Sequence, residues 1–219
     1  MKRIVLAVLA VLASPAAFAD ASTWNLDPAH SQATFAVRHL AISTVRGEFK
    51  TIGGKLLLDD ADPAKSKVDV VIDVNSIDTR EPKRDAHLKS PDFFDAANHP
   101  TMTFKSTRIE KAGDGYKITG DLTIRGNTKP VTLDVDEFTS PIKDPMGAMR
   151  RAVHASGKIN RKDYGLAWSK VVEAGPVVAD EVKMEISSEF VQAPASPVGQ
   201  AKAEDQAATT GEKKDAKKK

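Results

Sequence analysis

Tyr116-Lys117-Ile118-Thr119-Gly120-Asp121-Leu122-Thr123-Ile124, then Arg125-Gly126-Asn127, then Val131-Thr132-Leu133-Asp134-Val135-Asp136, is the stretch whose reading decides the fold. Tyr116, Ile118, Leu122 and Ile124 share one face, against Lys117, Thr119, Asp121, Thr123 and Arg125 on the other. Val131, Leu133 and Val135 alternate in the same way with Thr132, Asp134 and Asp136. A period of two with one apolar and one polar face describes a half-buried antiparallel strand. Gly126-Asn127 between the two runs supplies the positive φ of a hairpin turn.

The same alternation continues outward in both directions. Val68, Val70, Ile72 and Val74 oppose Asp69 and Asp73, while Val182, Met184, Ile186 and Phe190 oppose Lys183, Glu185 and Glu189. Further runs at Ala33–His39, Val45–Leu58, Met102–Ile109 and Val153–Ile159 bring the total to about eight strands. Gly113-Asp114-Gly115 marks a second turn, and Pro63, Pro141 and Pro145 fall in gaps, where a missing N–H does no harm. Helix signals are sparse. Pro82 opens a short helix at Lys83–Lys89, Pro91 closes it, and Asp92 is expected to cap a turn carrying Phe93 and Phe94. With no helix layer to cover it, the sheet packs on itself, as a sandwich or a closed barrel. Its inward set is rich in Val, Ile and Leu, and aromatics are only 5% of the chain. Few large fillers favour an internal cavity over a solid core, and a barrel of about eight strands has room for one small ligand.

The ends read differently. Lys2 and Arg3, the apolar run Ile4–Ala13 and Ala17-Phe18-Ala19 before Asp20 form a secretory leader over residues 1–19. That run is too short to span a bilayer, which takes roughly 20 residues. From Pro194 to Lys219 the composition falls to small and charged residues with one branched aliphatic, Val198, so a disordered Lys-rich tail is expected. Residues 20–193 remain as one domain. The whole chain carries 32 Lys+Arg against 30 Asp+Glu, a formal +2. Setting aside Lys2, Arg3 and the tail's six lysines against four acids leaves the domain at −2. That balance excludes a nucleic-acid binder held by bulk charge. The absence of cysteine excludes a disulfide scaffold, a thiolate metal site and a cysteine nucleophile.

No nucleophile elbow, phosphate loop, dinucleotide fingerprint or zinc-protease motif occurs. No catalytic residue, metal ligand or cofactor is therefore assigned. His87 with Asp85, Asp92 and Asp95 lacks metal-ligand spacing and reads as the polar surface of a short helix. His39 shares the face of Phe35 and Val37, either as a core histidine or as a polar anchor near a cavity mouth. Phe93 and Phe94 plug one barrel end or lid a ligand entrance. Trp168 is either a loop residue packed on the core or part of a cavity wall.

Five blocks in order resemble one family. They are Asp27-Pro28-Ala29-His30-Ser31 with Phe35, Val37 and His39; Arg84 to Asp95; Pro100 to Ser106; Gly120 to Gly126 with Thr128-Lys129-Pro130-Val131; and Ile159 to Leu166. Together they resemble the YceI-like polyisoprenoid-binding proteins over nearly all of residues 23–191. The resemblance implies an eight-stranded antiparallel, lipocalin-like barrel with a short helix segment at one end. It also implies an interior that takes up an isoprenoid or quinone-like amphiphile, often in the periplasm. The lysine-tipped tail is not part of that pattern.

The leading reading is thus a periplasmic carrier or sequestering protein. Burial of the tail drives binding: at ~0.8 kcal/mol per CH₂, each five-carbon unit gives roughly 3–4 kcal/mol before association costs. Phe35, Val37, Val70, Ile72, Phe104, Ile118, Leu122, Leu133, Met184 and Ile186 are expected to line the cavity, with His39 and Trp168 nearer a mouth. The partner is a hydrophobic lipid, with neither nucleic acid nor stable membrane insertion of the mature chain, and a homodimer is left open. Two other readings stand beside it: a stress-induced periplasmic protein with a filled barrel and no ligand, and a lipid-acting enzyme using His39 or His87.

Overall fold

The computed structural model describes residues 21–172 and 175–194; the expected leader at 1–19 and, apart from Pro194, the expected tail lie outside them. The strands are β1 (Ser22–His39), β2 (Ser43–Phe49), β3 (Ile52–Leu58), β4 (Lys67–Asp73), β5 (Ile77–Asp78), β6 (Thr101–Ala112), β7 (Gly115–Ile124), β8 (Asn127–Phe138), β9 (Ile142–Lys143), β10 (Met149–Asn160), β11 (Val171–Val172), β12 (Gly175–Pro176) and β13 (Val178–Gln192). One helix, α1 (Pro82–Lys89), follows β5.

The deciding stretch folds as β7 and β8, with Ile118 opposite Leu133 and Tyr116 opposite Val135. Its outer face pairs polar groups across the two strands. The Thr119 and Thr132 hydroxyls lie 2.9 Å apart, those of Thr123 and Thr128 2.8 Å apart, and Lys117 meets Asp134. The turn sits one residue earlier than expected. Ile124 pairs with Asn127, so Arg125 (φ 50) and Gly126 (φ 73) form the two-residue loop.

Pairing runs β13-β10-β8-β7-β6-β4-β3-β1, and β1 returns to β13, so eight antiparallel strands close a barrel. The single run expected at Val45–Leu58 is two strands bent at Lys50-Thr51. β2 pairs with the second half of β1, and β3 pairs with the first half. Bulges between Ser106 and Arg108 and between His154 and Ala155 supply further bends, which closure requires.

β1 starts eleven residues before the expected Ala33, and Trp24 and Leu26 are buried on it. Its pairing with β13 is interrupted between Asp27 and Gln32, where Asp27-Pro28-Ala29-His30-Ser31 loops out and breaks the alternation. Arg150 ties down that excursion, with Nη1 donating to Asp27 Oδ2 (2.8 Å) and Glu189 Oε1 (2.5 Å), and Nε to Asp144 Oδ2 (2.7 Å).

The chain between β4 and β6 closes one barrel end. Val74 leaves the strand face expected of it and enters a 3-10 turn at Val74–Ser76, 1% exposed. The helix starts at Pro82 and ends at Lys89, as its prolines predict. Asp92 does not cap the following turn; its carboxylate takes the His87 Nε2 side, 2.9 Å away.

Candidate ligand-binding site

Two apolar clusters form, one at each end of the barrel. Phe49, Val74, Ile77, Phe93, Met102, Ile124, Tyr164 and Leu166 make the cluster beside α1. Trp24, Leu26, Ile52, Leu56, Leu58 and Phe190 make the other. Between and into them runs a cavity of about 280 Å³. One water needs roughly 10–15 Å³ on this measure, so the lumen is not filled by side chains and the filled-barrel expectation is not met.

All ten aliphatic and aromatic residues expected to face inward stand on the cavity wall: Phe35, Val37, Val70, Ile72, Phe104, Ile118, Leu122, Leu133, Met184 and Ile186. Nine are only half-buried, and Phe104 is buried. Inward-facing apolar side chains that still have accessible surface are the signature of a hollow core.

Two glycines help keep it hollow. Phe35 lies over Gly47, opposite it on β2, where a Cβ would stand 2.5 Å from Phe35 Cζ. Phe104 lies over Gly120 at the same 2.5 Å, with the Lys105 carbonyl also 2.5 Å away. Each ring folds flat across a neighbouring strand because no side chain occupies that space, and so it stays against the wall.

The two ends differ in chemistry. Beside α1 the lining is completed by Leu88, Phe93, Phe94, Tyr164, Leu166 and Arg161. The Tyr164 hydroxyl is buried without a hydrogen-bond partner among the described residues, and burial pushes its pKa up to about 12. Arg161, 4% exposed, is fully engaged. Nε donates to Ala179 O (3.0 Å), Nη1 to Trp168 O (2.8 Å) and Leu166 O, and Nη2 to Val178 O (3.4 Å) and Asp180 Oδ1 (3.3 Å). At the other end the lining includes Asp59, Asp60, Pro63 and Ser66 on the loop after β3. Asp60 is exposed there. Burial lowers the pKa of both Arg151 and Arg161 below the ordinary arginine value, and the nearby carboxylates of Asp60 and Asp180 respectively oppose that shift.

His39 and Trp168 are not on the wall. The β1–β13 register slips between Val37 and His39 while the β1–β2 register runs on unbroken to His39, which ends the strand beyond the residues that line the lumen. Trp168 packs outside, with its ring centroid 5.2 Å from Phe93 and 5.0 Å from His87, so the core-packing alternative holds for it. His87 is engaged by Asp92 and is likewise off the wall, leaving neither proposed acid–base histidine facing the lumen.

The carboxylates once grouped with His87 are spent on local bonds. Asp85 accepts from Thr79 N (2.9 Å), and Asp95 accepts from Asn98 Nδ2 (3.0 Å). Among the described residues the tightest grouping of metal-ligand types is Asp27, His30 and Glu189. Its two carboxylates already share the Arg150 guanidinium, which together with His30 and the Ala29 N–H holds Asp27 at a pKa of about 2. This cluster is a clasp for the β1 excursion.

A model of the YceI-like domain matches residues 24–190. The chain belongs to the YceI-like family. It is 41% identical over 163 residues to Protein YceI of Escherichia coli, covering 74% of this chain and 82% of that one. Among solved structures, Burkholderia cenocepacia BcnA superposes with a TM-score of 0.66 at 25% identity, over 75% of this chain and 98% of its own. A polyisoprenoid binding domain from Saccharophagus degradans, implicated in plant cell wall breakdown, shares the fold with a TM-score of 0.57 at 16% identity, over 80% of this chain and 100% of its own. The YceI-like match spans every strand of the closed barrel. It thus includes both residues that the alternation argument overlooked, Arg151 and Tyr164. Counting back by twos along β10 from Ile159 through Ala155 and Val153 reaches Arg151, so its inward placement was readable.

Proposed function

We propose that this protein is a non-catalytic carrier that sequesters a long-chain isoprenoid or similar amphiphilic lipid in the barrel lumen, exported to the periplasm by its leader. The observation that carries this reading is the apolar lumen that the side chains leave unfilled, its wall including ten inward side chains of which nine keep accessible surface. Apolar walls around an unfilled space favour an apolar occupant, since tail burial far exceeds one headgroup hydrogen bond of about 0.5–1.5 kcal/mol. Selectivity therefore follows tail length and girth more than the headgroup. The same ligand class is named for the Saccharophagus domain, whose fold this chain shares.

Mass spectrometry of an organic extract from gently purified protein tests the reading. A lipid recovered at about one per chain is expected, and a clean extract from a folded protein contradicts it. Recovery of that lipid from the periplasmic fraction, lost when residues 2–19 are deleted, tests the location.

A further inference from the structure

Arg151 lies on the inward face of β10, in phase with Val153 and Ala155, both of which line the lumen. It is 6% exposed. Its guanidinium carbon stands 4.9 Å from the Trp24 ring centroid and 4.2 Å from that of Phe138. The rings attract the cation through their faces, but they leave its in-plane N–H directions unfilled. Nε and Nη1 are buried and make no hydrogen bond among the described residues. The nearest carboxylate, Asp60, approaches Nη1 only to 3.6 Å and is itself 74% exposed.

A buried charged donor without an acceptor is costly, and such a group calls for a partner. The location limits what that partner is. Asp60 and Phe138, which the guanidinium contacts, line the lumen at this end, as does Val153, whereas Arg151 itself does not stand on that wall, so its donors lie behind the lining and meet a headgroup only where Asp60 gives way. A planar guanidinium fork matches the paired oxygens of an oxyanion. Asp60 sits on an exposed loop, where leaving the cation for water costs its carboxylate little.

We propose that Arg151 receives the oxyanion headgroup of the amphiphile whose tail occupies the lumen, with Asp60 as a place-holding counter-ion that the headgroup displaces. The assignment rests on the carrier reading and sharpens it from any amphiphile to one with an acidic head.

The test compares geranylgeranyl phosphate with geranylgeraniol, which share one tail, by displacement of a fluorescent fatty probe from the full mature chain. Wild type is expected to prefer the phosphate by at least about tenfold. Arg151→Met should bring the phosphate down to the affinity of the alcohol, Arg151→Lys should keep part of the preference, and Asp60→Ala should tighten the phosphate several-fold without moving the alcohol. Equal affinities in wild type, or a preference that survives in folded Arg151→Met, overturn the headgroup assignment and leave the carrier reading standing. A folded wild type that binds neither probe overturns both. If Arg151→Met does not fold, Asp60→Ala decides: an unchanged phosphate affinity in it rejects the proposal.

Discussion

Two arginines flank one strand, Arg151 near the start of β10 and Arg161 just past its end, and they are buried to nearly the same degree, at 6% and 4% exposure. Arg161 spends its guanidinium on four carbonyls and Asp180, stitching the 161–168 loop to the start of β13. Arg151 makes no such bond among the described residues and is held by two aromatic faces and an ion pair of 3.6 Å to Asp60. Equal burial thus hides opposite roles. The arginine beside α1 is part of the wall that seals the barrel, while the one at the far end keeps buried N–H donors unused behind the lining.

The largest effect that would break this contrast is on stability. Arg161→Met should cost about 3–5 kcal/mol in urea unfolding, because it orphans four carbonyls. Arg151→Met should change stability by no more than about 1 kcal/mol, because it removes a buried cation compensated among the described residues by ring faces and the 3.6 Å ion pair to the exposed Asp60. Similar losses in the two variants would erase the distinction.

Between the two ends, Leu133 and Ile118 face each other across β7 and β8 on the lumen wall. A lysine at either place puts an ammonium into apolar space, so Leu133→Lys or Ile118→Lys should abolish lipid uptake. Full uptake by a folded variant would mean that the tail does not pass between the ends.

The Arg150 clasp gives a smaller, pH-dependent effect. Arg150 and His30 lower the pKa of Asp27 to about 2, and Arg150 also lowers that of Asp144. A depressed carboxylate pKa stabilises the fold above the unfolded value, near 4, and that contribution fades as the pH falls toward 2. Wild type should therefore lose more stability over that window than Arg150→Met does, as read by thermal melts at each pH. Parallel profiles would show that the clasp contributes nothing. Smallest of all, Gly47→Ala should tip the Phe35 ring toward the lumen and weaken binding of long tails a few-fold, with short tails unaffected.

Much of this was legible in the chain. Alternation depends only on which side chains meet water, so it located the strands of the barrel and the ten wall residues. It failed where the backbone breaks period. The Asp27–Ser31 excursion hid the first half of β1, and alternation says nothing of where along a strand the lining stops, so His39, in phase with Val37, lies beyond it at the end of β1. Arg151 was missed for another reason: a cation in the inward phase reads as the end of a strand, although its aromatic neighbours come from distant segments. Hollowness itself was only hinted at by composition, because it depends on rings such as Phe35 folding over Gly47, a three-dimensional fact.

The central claim is that the lumen takes a hydrocarbon chain, and a tail-length ladder tests it most directly. Isoprenoid alcohols of ten to forty carbons, titrated against the lipid-stripped protein, should bind more tightly with each added unit until the lumen is full, and then level off. An affinity that does not change with tail length would contradict the account.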